Sequence, residues 1–334
     1  MAGQTHFLKL ALKRGALIAA ANWQVTLIQS AADALFKLLL AVPIVGGVFL
    51  VALVVGTEPT GLVTLPWREM VTTTIASLFA IPAVLTAFLL ALAIVIVGGS
   101  TFMFLVKGGT MTTLVAADTH GGPVEQPPLH LSALARASQF SAERFIEGSS
   151  RLFPRYLRLG FLLMGVYFLS AGSYLSVIIA SQATDQGWGI PALATALFVT
   201  WITLVNFLYL LLQIIMAADG CSLAAAVPRG LAFLRSETRR VAAVFAVVLV
   251  LVLCATGASL LATAALGLIS FVPFLGLAVV PLQLAAWLVR GVVFQYLGLA
   301  AVGAYLKLYR GFTARLASSP ARADGLIKTV PLPS

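Results

Sequence analysis

Charge is scarce in this chain. Only 10% of its 334 residues are Asp, Glu, Lys or Arg, where a soluble domain carries about 25%. A fold of this length in water needs a charged shell around its core, so the deficit excludes one, and lipid must solvate much of the exterior. Cysteine is nearly absent as well. Cys221 and Cys254 form no CxxC spacing, so neither a disulfide framework nor a zinc site is expected, and Cys254 reads as a small hydrophobe inside an apolar run. The HExxH, Walker A and GxSxG patterns are missing, and no cofactor or metal is expected. The first long apolar run begins only after some 35 residues and carries no A-x-A cleavage pattern, so it is read as retained.

What is abundant is apolar sequence, at 60% of residues. Six runs meet the requirement of about 20 residues for crossing a hydrocarbon core of about 30 Å. They are placed near 38–56, 77–98, 159–180, 191–217, 241–266 and 282–306. Alternating ten-residue strands are not seen, which excludes a β-barrel. The expected fold is all-α, a polytopic transmembrane bundle of six spanning helices with cytoplasmic interfacial amphipathic helices. Residues 1–316 form one integral membrane domain, and 317–334 a flexible cytoplasmic tail.

Direction follows from the basic residues. Lys9, Lys13, Arg14 and Lys37 precede the first run. Lys107, Arg136, Arg144, Arg151, Arg155 and Arg158 lie in the second connection, and Arg229, Arg235, Arg239 and Arg240 in the fourth. Lys307, Arg310, Arg315, Arg322 and Lys328 follow the last run. Only Arg68 falls on the opposite side, and Arg290 lies inside the sixth run. The bias alternates correctly over six crossings, so both termini are expected in the cytoplasm of a bacterial inner membrane. The net charge of +10 is therefore topological and does not indicate nucleic acid.

The inner connections carry helical patterns. Leu223, Val227, Leu231, Leu234, Thr238 and Val241 recur at helical spacing after the turn formers Asp219 and Gly220, with Ser222 as an N-cap. Leu131, Leu134, Phe145, Ile146, Leu152 and Phe153 can form a second apolar face, which Gly148 and Pro154 are expected to bend. Residues 23–36 suggest a third such segment, with Asp33 and Lys37 as an i, i+4 pair. The layout is a threefold repeat of interfacial helix, span, outer turn and span. Gly148, Leu152 and Arg158 match Gly230, Leu234 and Arg240 at identical spacing. Arg229, Arg235, Arg239, Arg240, Arg151 and Arg155 are the candidate contacts to anionic lipid head groups, the expected partners, at about 1 kcal/mol each.

The segment Phe145-Ile-Glu-Gly-Ser-Ser-Arg-Leu-Phe-Pro-Arg-Tyr-Leu-Arg-Leu-Gly160 resembles bacterial six-span membrane proteins of unassigned function. So does Asp219-Gly-Cys-Ser-Leu-Ala-Ala-Ala-Val-Pro-Arg-Gly-Leu-Ala-Phe-Leu-Arg235. Both are similar to the membrane domain appended to some glycerophosphodiester phosphodiesterases. The chain has no room for the soluble hydrolase domain of those fusions, so the resemblance implies no enzyme activity here.

Ionisable groups inside a membrane are the default functional candidates. On the span limits above, Arg290 is the only one, about 25 Å along the helix from Lys307 and so toward the outer edge. Gln283 lies on roughly the same face. Asn206, Tyr209 and Gln213 form a polar stripe on the fourth span, and Gly172, Ser176 and Ala180 a small-residue line on the third. No Asp or Glu falls in a predicted span, which argues against proton- or sodium-coupled transport. Asp118, His120, Glu125 and His130 cluster in the inner loop, read as solvated. The leading expectation is a non-enzymatic scaffold or regulatory component, with a membrane protein partner or a second copy as its associate. A transporter or lipid-handling permease lined by the fourth and sixth spans is the alternative. A lipid-directed enzyme at the His120–His130 loop stands last.

Overall fold

A computed structural model describes residues 2–55, 80–128, 131–183, 189–270 and 275–318. The central part of the first outer connection, His130 and most of the tail at 317–334 lie outside these residues. Eight helices and no strand occur among the described residues: α1 (Ala2–Ala21), α2 (Trp23–Val55), α3 (Pro82–His120), α4 (Leu131–Ala137), α5 (Ala142–Ala183), α6 (Gly189–Asp219), α7 (Leu223–Ser270) and α8 (Leu275–Ala317). Six of them, α2, α3, α5, α6, α7 and α8, are long and apolar enough to cross a membrane. The expected all-α, six-span bundle is thus the observed architecture.

The helices overrun the runs read from hydropathy. α3 has 39 residues, about 58 Å at 1.5 Å per residue, against a hydrocarbon core of about 30 Å. The excess projects at one end, where Arg14, Lys307, Arg310, Arg155 and Arg229 meet the loops after α3 and α6. The densest core lies at this basic end. Tyr156, Tyr305, Tyr309, Phe233 and Leu114 are fully buried there, and Phe233 packs edge-on to Tyr309 at 5.5 Å. Toward the far end the helices present apolar side chains outward: Phe168 and Leu169 are each 76% exposed and Leu261 is 74% exposed. Lipid is the solvent such a surface requires.

Three hairpins, α2–α3, α5–α6 and α7–α8, are joined by a repeated contact. The first turns of α5 cross the basic end of α3, where Gly148 sits against Thr112 and a Cβ on Gly109 would stand 2.7 Å from the Phe145 carbonyl oxygen. The first turns of α7 cross the end of α6, with Gly230 near Ile215. α1 crosses the end of α8, where a Cβ on Gly15 would run into the Ala300 carbonyl and stand 2.7 Å from the Ala304 nitrogen. Each opening helix therefore packs on the last span of the preceding hairpin, and α1 on α8 closes the ring. At Gly15 and Gly109 the opposing backbone leaves no room for a side chain, whereas Gly148 and Gly230 face side chains of Thr112 and Ile215.

α1 was not foreseen as a separate helix. Asn22 makes the joint between it and α2, fully buried. Its Nδ2 donates to the Ile18 and Ala137 carbonyls, both at 2.9 Å, and its Oδ1 accepts from the Gln139 N–H at 2.9 Å. The helix that carries the first apolar run accordingly starts at Trp23, well before residue 38. Asp33 and Lys37 interrupted the hydropathy and concealed it.

Two further expectations change. α5 runs from Ala142 to Ala183 as one helix with Pro154 inside, so the amphipathic segment continues directly into the span without a break. In α7 the buried stripe is Ala226, Gly230, Phe233 and Glu237, whereas Val227 and Leu231 are exposed. Of the predicted stripe, Val241 is buried and Leu223 and Leu234 pack against the core, so the stripe divides between the crossing and the outer face. Glu237 has φ −116° and ψ 19°, separating the crossing segment from the span.

Candidate functional site

The loop read as solvated is an ion-pair core. Arg14 on α1 is 5% exposed. Its Nε meets Asp118 Oδ1 at 2.5 Å, and its Nη1 donates to Glu125 Oε2 at 2.7 Å and to the Gly122 carbonyl at 2.6 Å. Lys307 donates to Glu125 Oε1 at 2.8 Å, and Arg310 pairs with Asp118 Oδ2 at 3.0 Å. Asp118 and Glu125 are buried at 4% and 3% exposure, so cations engage both carboxylates and neither is available to a metal beside His120. Those cations arrive from α1 and α8, distant in sequence, which is why a local reading missed them. Burial alone would raise the Glu125 pKa, but the bonds from Lys307, a backbone N–H and Arg14 bring it below its usual range. Burial lowers that of Arg14, and Asp118 with Glu125 more than offsets this.

The second hairpin repeats the pattern. Asp219 accepts from Arg229 at 2.9 Å and from the Tyr309 hydroxyl at 2.6 Å, while Arg155 donates to the Gly220 carbonyl at 2.5 Å. Gly122 and Gly220 both have positive φ, 63° and 61°. The left-handed turn frees each carbonyl for an arginine. Ala116-Ala117-Asp118 and Ala217-Ala218-Asp219 precede these turns, a sequence signal that could have located both carboxylates.

The six candidate head-group arginines divide. Arg229, Arg155 and Arg240 are held by the protein, Arg240 through Glu237 at 2.9 Å and over the Phe7 ring at 4.8 Å. Arg151, Arg235 and Arg239 are exposed. Arg235 and Arg239 line a groove of about 410 Å³ with Arg240 and Arg315. Glu237 is its one carboxylate, already bonded to Arg240 and Arg315. The groove therefore carries a net positive charge. Nearby, Lys9 and Lys13 border an apolar groove of about 570 Å³ between α1, α7 and α8.

The fourth-span stripe divides too. Asn206 accepts from the Tyr167 hydroxyl at 2.6 Å and so ties α6 to α5. Tyr209 and Gln213 face inward at 8% and 1% exposure. Lys107 on α3 lies 5.0 Å above the Tyr209 ring. The Tyr209 hydroxyl and the Gln213 amide lie together in this interior, both buried. Lys107 thus belongs to the bundle interior and not to a connection. Gly172 has no atom within 4 Å of its Cβ position, so it makes no close helix crossing within the described residues.

Arg290 lies elsewhere. It lines a pocket of about 460 Å³ between α2, α7 and α8 with Ser30, Asp33, Lys37, Trp287 and Gln295. Ser30 is only about 12 Å along α2 from Asn22. Lys307 reaches the loop after α3. Gln283 is exposed and does not line this pocket. Because α2 begins at Trp23, Asp33 and Lys37 belong to the same continuous helix as the first apolar run. No family model, curated protein or solved structure matches the chain.

Proposed function

We propose that the protein is a non-enzymatic scaffold or regulatory component of the bacterial inner membrane, with its basic end in the cytoplasm, that gathers anionic lipid there. The observation that carries this reading is the groove of Arg235, Arg239, Arg240 and Arg315, whose lone carboxylate is already saturated. Two guanidinium groups remain to receive phosphate, which they match in a bidentate fork. Val227 and Leu231, exposed on the preceding turns of α7, would enter the acyl boundary as the apolar face of an interfacial helix. Lys9 and Lys13 flank an apolar groove suited to an acyl chain. Arg235→Glu with Arg239→Glu should strip co-purifying phosphatidylglycerol while the fold persists. Unchanged retention of that lipid would overturn the reading.

A second reading, a lipid-handling permease, is favoured by the buried polar group of Tyr209, Gln213 and Lys107 between α3 and α6. Polar and ionisable groups gathered inside a membrane bundle are the default candidates for a path. Lys107→Met or Gln213→Ala should then lower lipid flux in proteoliposomes at least tenfold, and unaltered flux would remove it.

A further inference from the structure

The pocket between α2, α7 and α8 combines charge and aromatic walls inside the spanning region. Asp33 and Lys37 pair at 2.6 Å, which leaves them neutral as a unit. Lys107 adds an attraction to Asp33 from α3. Arg290 lies 5.6 Å above the Phe294 ring and has no carboxylate within 4 Å among the described residues. An unmatched guanidinium in a spanning helix is costly, and such a group faces a partner or a cavity. Here it faces a cavity that also presents Ser30, Gln295 and Trp287.

We infer that this pocket binds the phosphate of an anion. Arg290 would grip two oxygens through its planar fork, with Ser30 and Gln295 supplying further donors. Trp287 and the Phe294 ring suit an apolar body beside the phosphate, as on a lipid. Asp33 is the group that opposes the anion, and its pairing with Lys37 limits that repulsion. Gly291 keeps the wall thin, since a Cβ there would stand 3.2 Å from Ser30 Oγ. The inference is independent of the groove at Arg235 and Arg239.

Trp287 serves as the reporter. With Trp23, Trp67, Trp188 and Trp201 replaced by Phe, the purified protein in neutral detergent is titrated with phosphatidylglycerol, with phosphatidylcholine as control. In a second arm it is titrated with inorganic phosphate against chloride at equal ionic strength. A saturable change in Trp287 emission is expected in one arm and not in its control. Response to the lipid assigns the source as a head group; response to inorganic phosphate assigns a water-borne anion. Arg290→Gln should weaken binding roughly tenfold to hundredfold, and Arg290→Lys, which keeps the charge and loses the fork, by less. Asp33→Asn should tighten it roughly threefold to tenfold, because it removes the repelling carboxylate and releases Lys37. Adding Arg235→Glu and Arg239→Glu should leave these values unchanged. Silence in both arms, an equal response to the controls, or weaker binding in Asp33→Asn would overturn the site.

Discussion

Replacing Arg14 with methionine keeps an unbranched stem and removes the charge that joins α1 to the loop after α3. The wild-type guanidinium donates to Asp118 Oδ1, the Asp118 carbonyl, the Gly122 carbonyl and Glu125 Oε2, over 2.5 to 2.7 Å. Hydrogen bonds to charged groups contribute about 1.5–3 kcal/mol each, and removing one partner of a buried pair costs about 3–5 kcal/mol in total. At 5% exposure, solvent screens Arg14 little. Lys307 and Arg310 remain on the same two carboxylates, which places the expected loss near the bottom of that range, about 3 kcal/mol. The assay is unfolding in mixed micelles of rising SDS fraction, followed by fluorescence. A cycle with Glu125→Gln should give a coupling of about 1–3 kcal/mol. Lys9→Met, which removes an exposed cation, should change stability by less than about 0.5 kcal/mol. An Arg14→Met protein as stable as its parent would refute the claim that this cluster locks the ring.

Gly15→Val should prevent α1 from seating on α8, because its Cβ would meet the Ala300 carbonyl and the Ala304 nitrogen; protection of α1 from proteolysis should be lost. Gly46→Val, with nothing within 4 Å of its Cβ position, should leave it intact. Asn22→Leu removes three side-chain hydrogen bonds at a fully buried joint and should cost about 2–3 kcal/mol in the same SDS titration. The pH dependence follows from Glu125, whose pKa is lowered in the fold. A depressed carboxylate stabilises the native state above its unfolded pKa of about 4.3 and loses that contribution as pH falls through the folded value. Stability should therefore be flat in this group from about pH 7 to about pH 5 and fall below it, and Glu125→Gln should flatten the acid limb.

The six spans were legible because continuous apolar runs of such length have one physical use. Their edges were not, because the helices continue past the hydrocarbon and fold against one another at the basic end. Lys107 reads as part of a connection, and Asp33 and Lys37 as preceding the first span, since hydropathy registers a charge and not its neighbours; each lies within a helix long and apolar enough to cross a membrane. The glycine match between 148 and 230 was a genuine trace of the repeat, and Gly15 is its third member at the level of packing. What no window along the chain could reveal was the company of Arg14, whose carboxylates lie 104 and 111 residues away. The division of the arginines into locked and free members had the same origin, for it depends on Asp219, Gly220 and Glu237 arriving from other turns. Arg290 was singled out correctly as an ionisable group in a span. Its companions on α2 were hidden by the misplaced start of that helix.

The account stands on one geometric statement: the opening helices of all three hairpins gather on a single side of the bilayer. Single cysteines at Lys9, Arg144, Arg235 and Arg315, in a background where Cys221 and Cys254 are alanine, can be challenged with a membrane-impermeant maleimide in sealed vesicles of known orientation. All four should label from the cytoplasmic side alone. Labelling of any one of them from the opposite side would contradict the ring and every site built upon it.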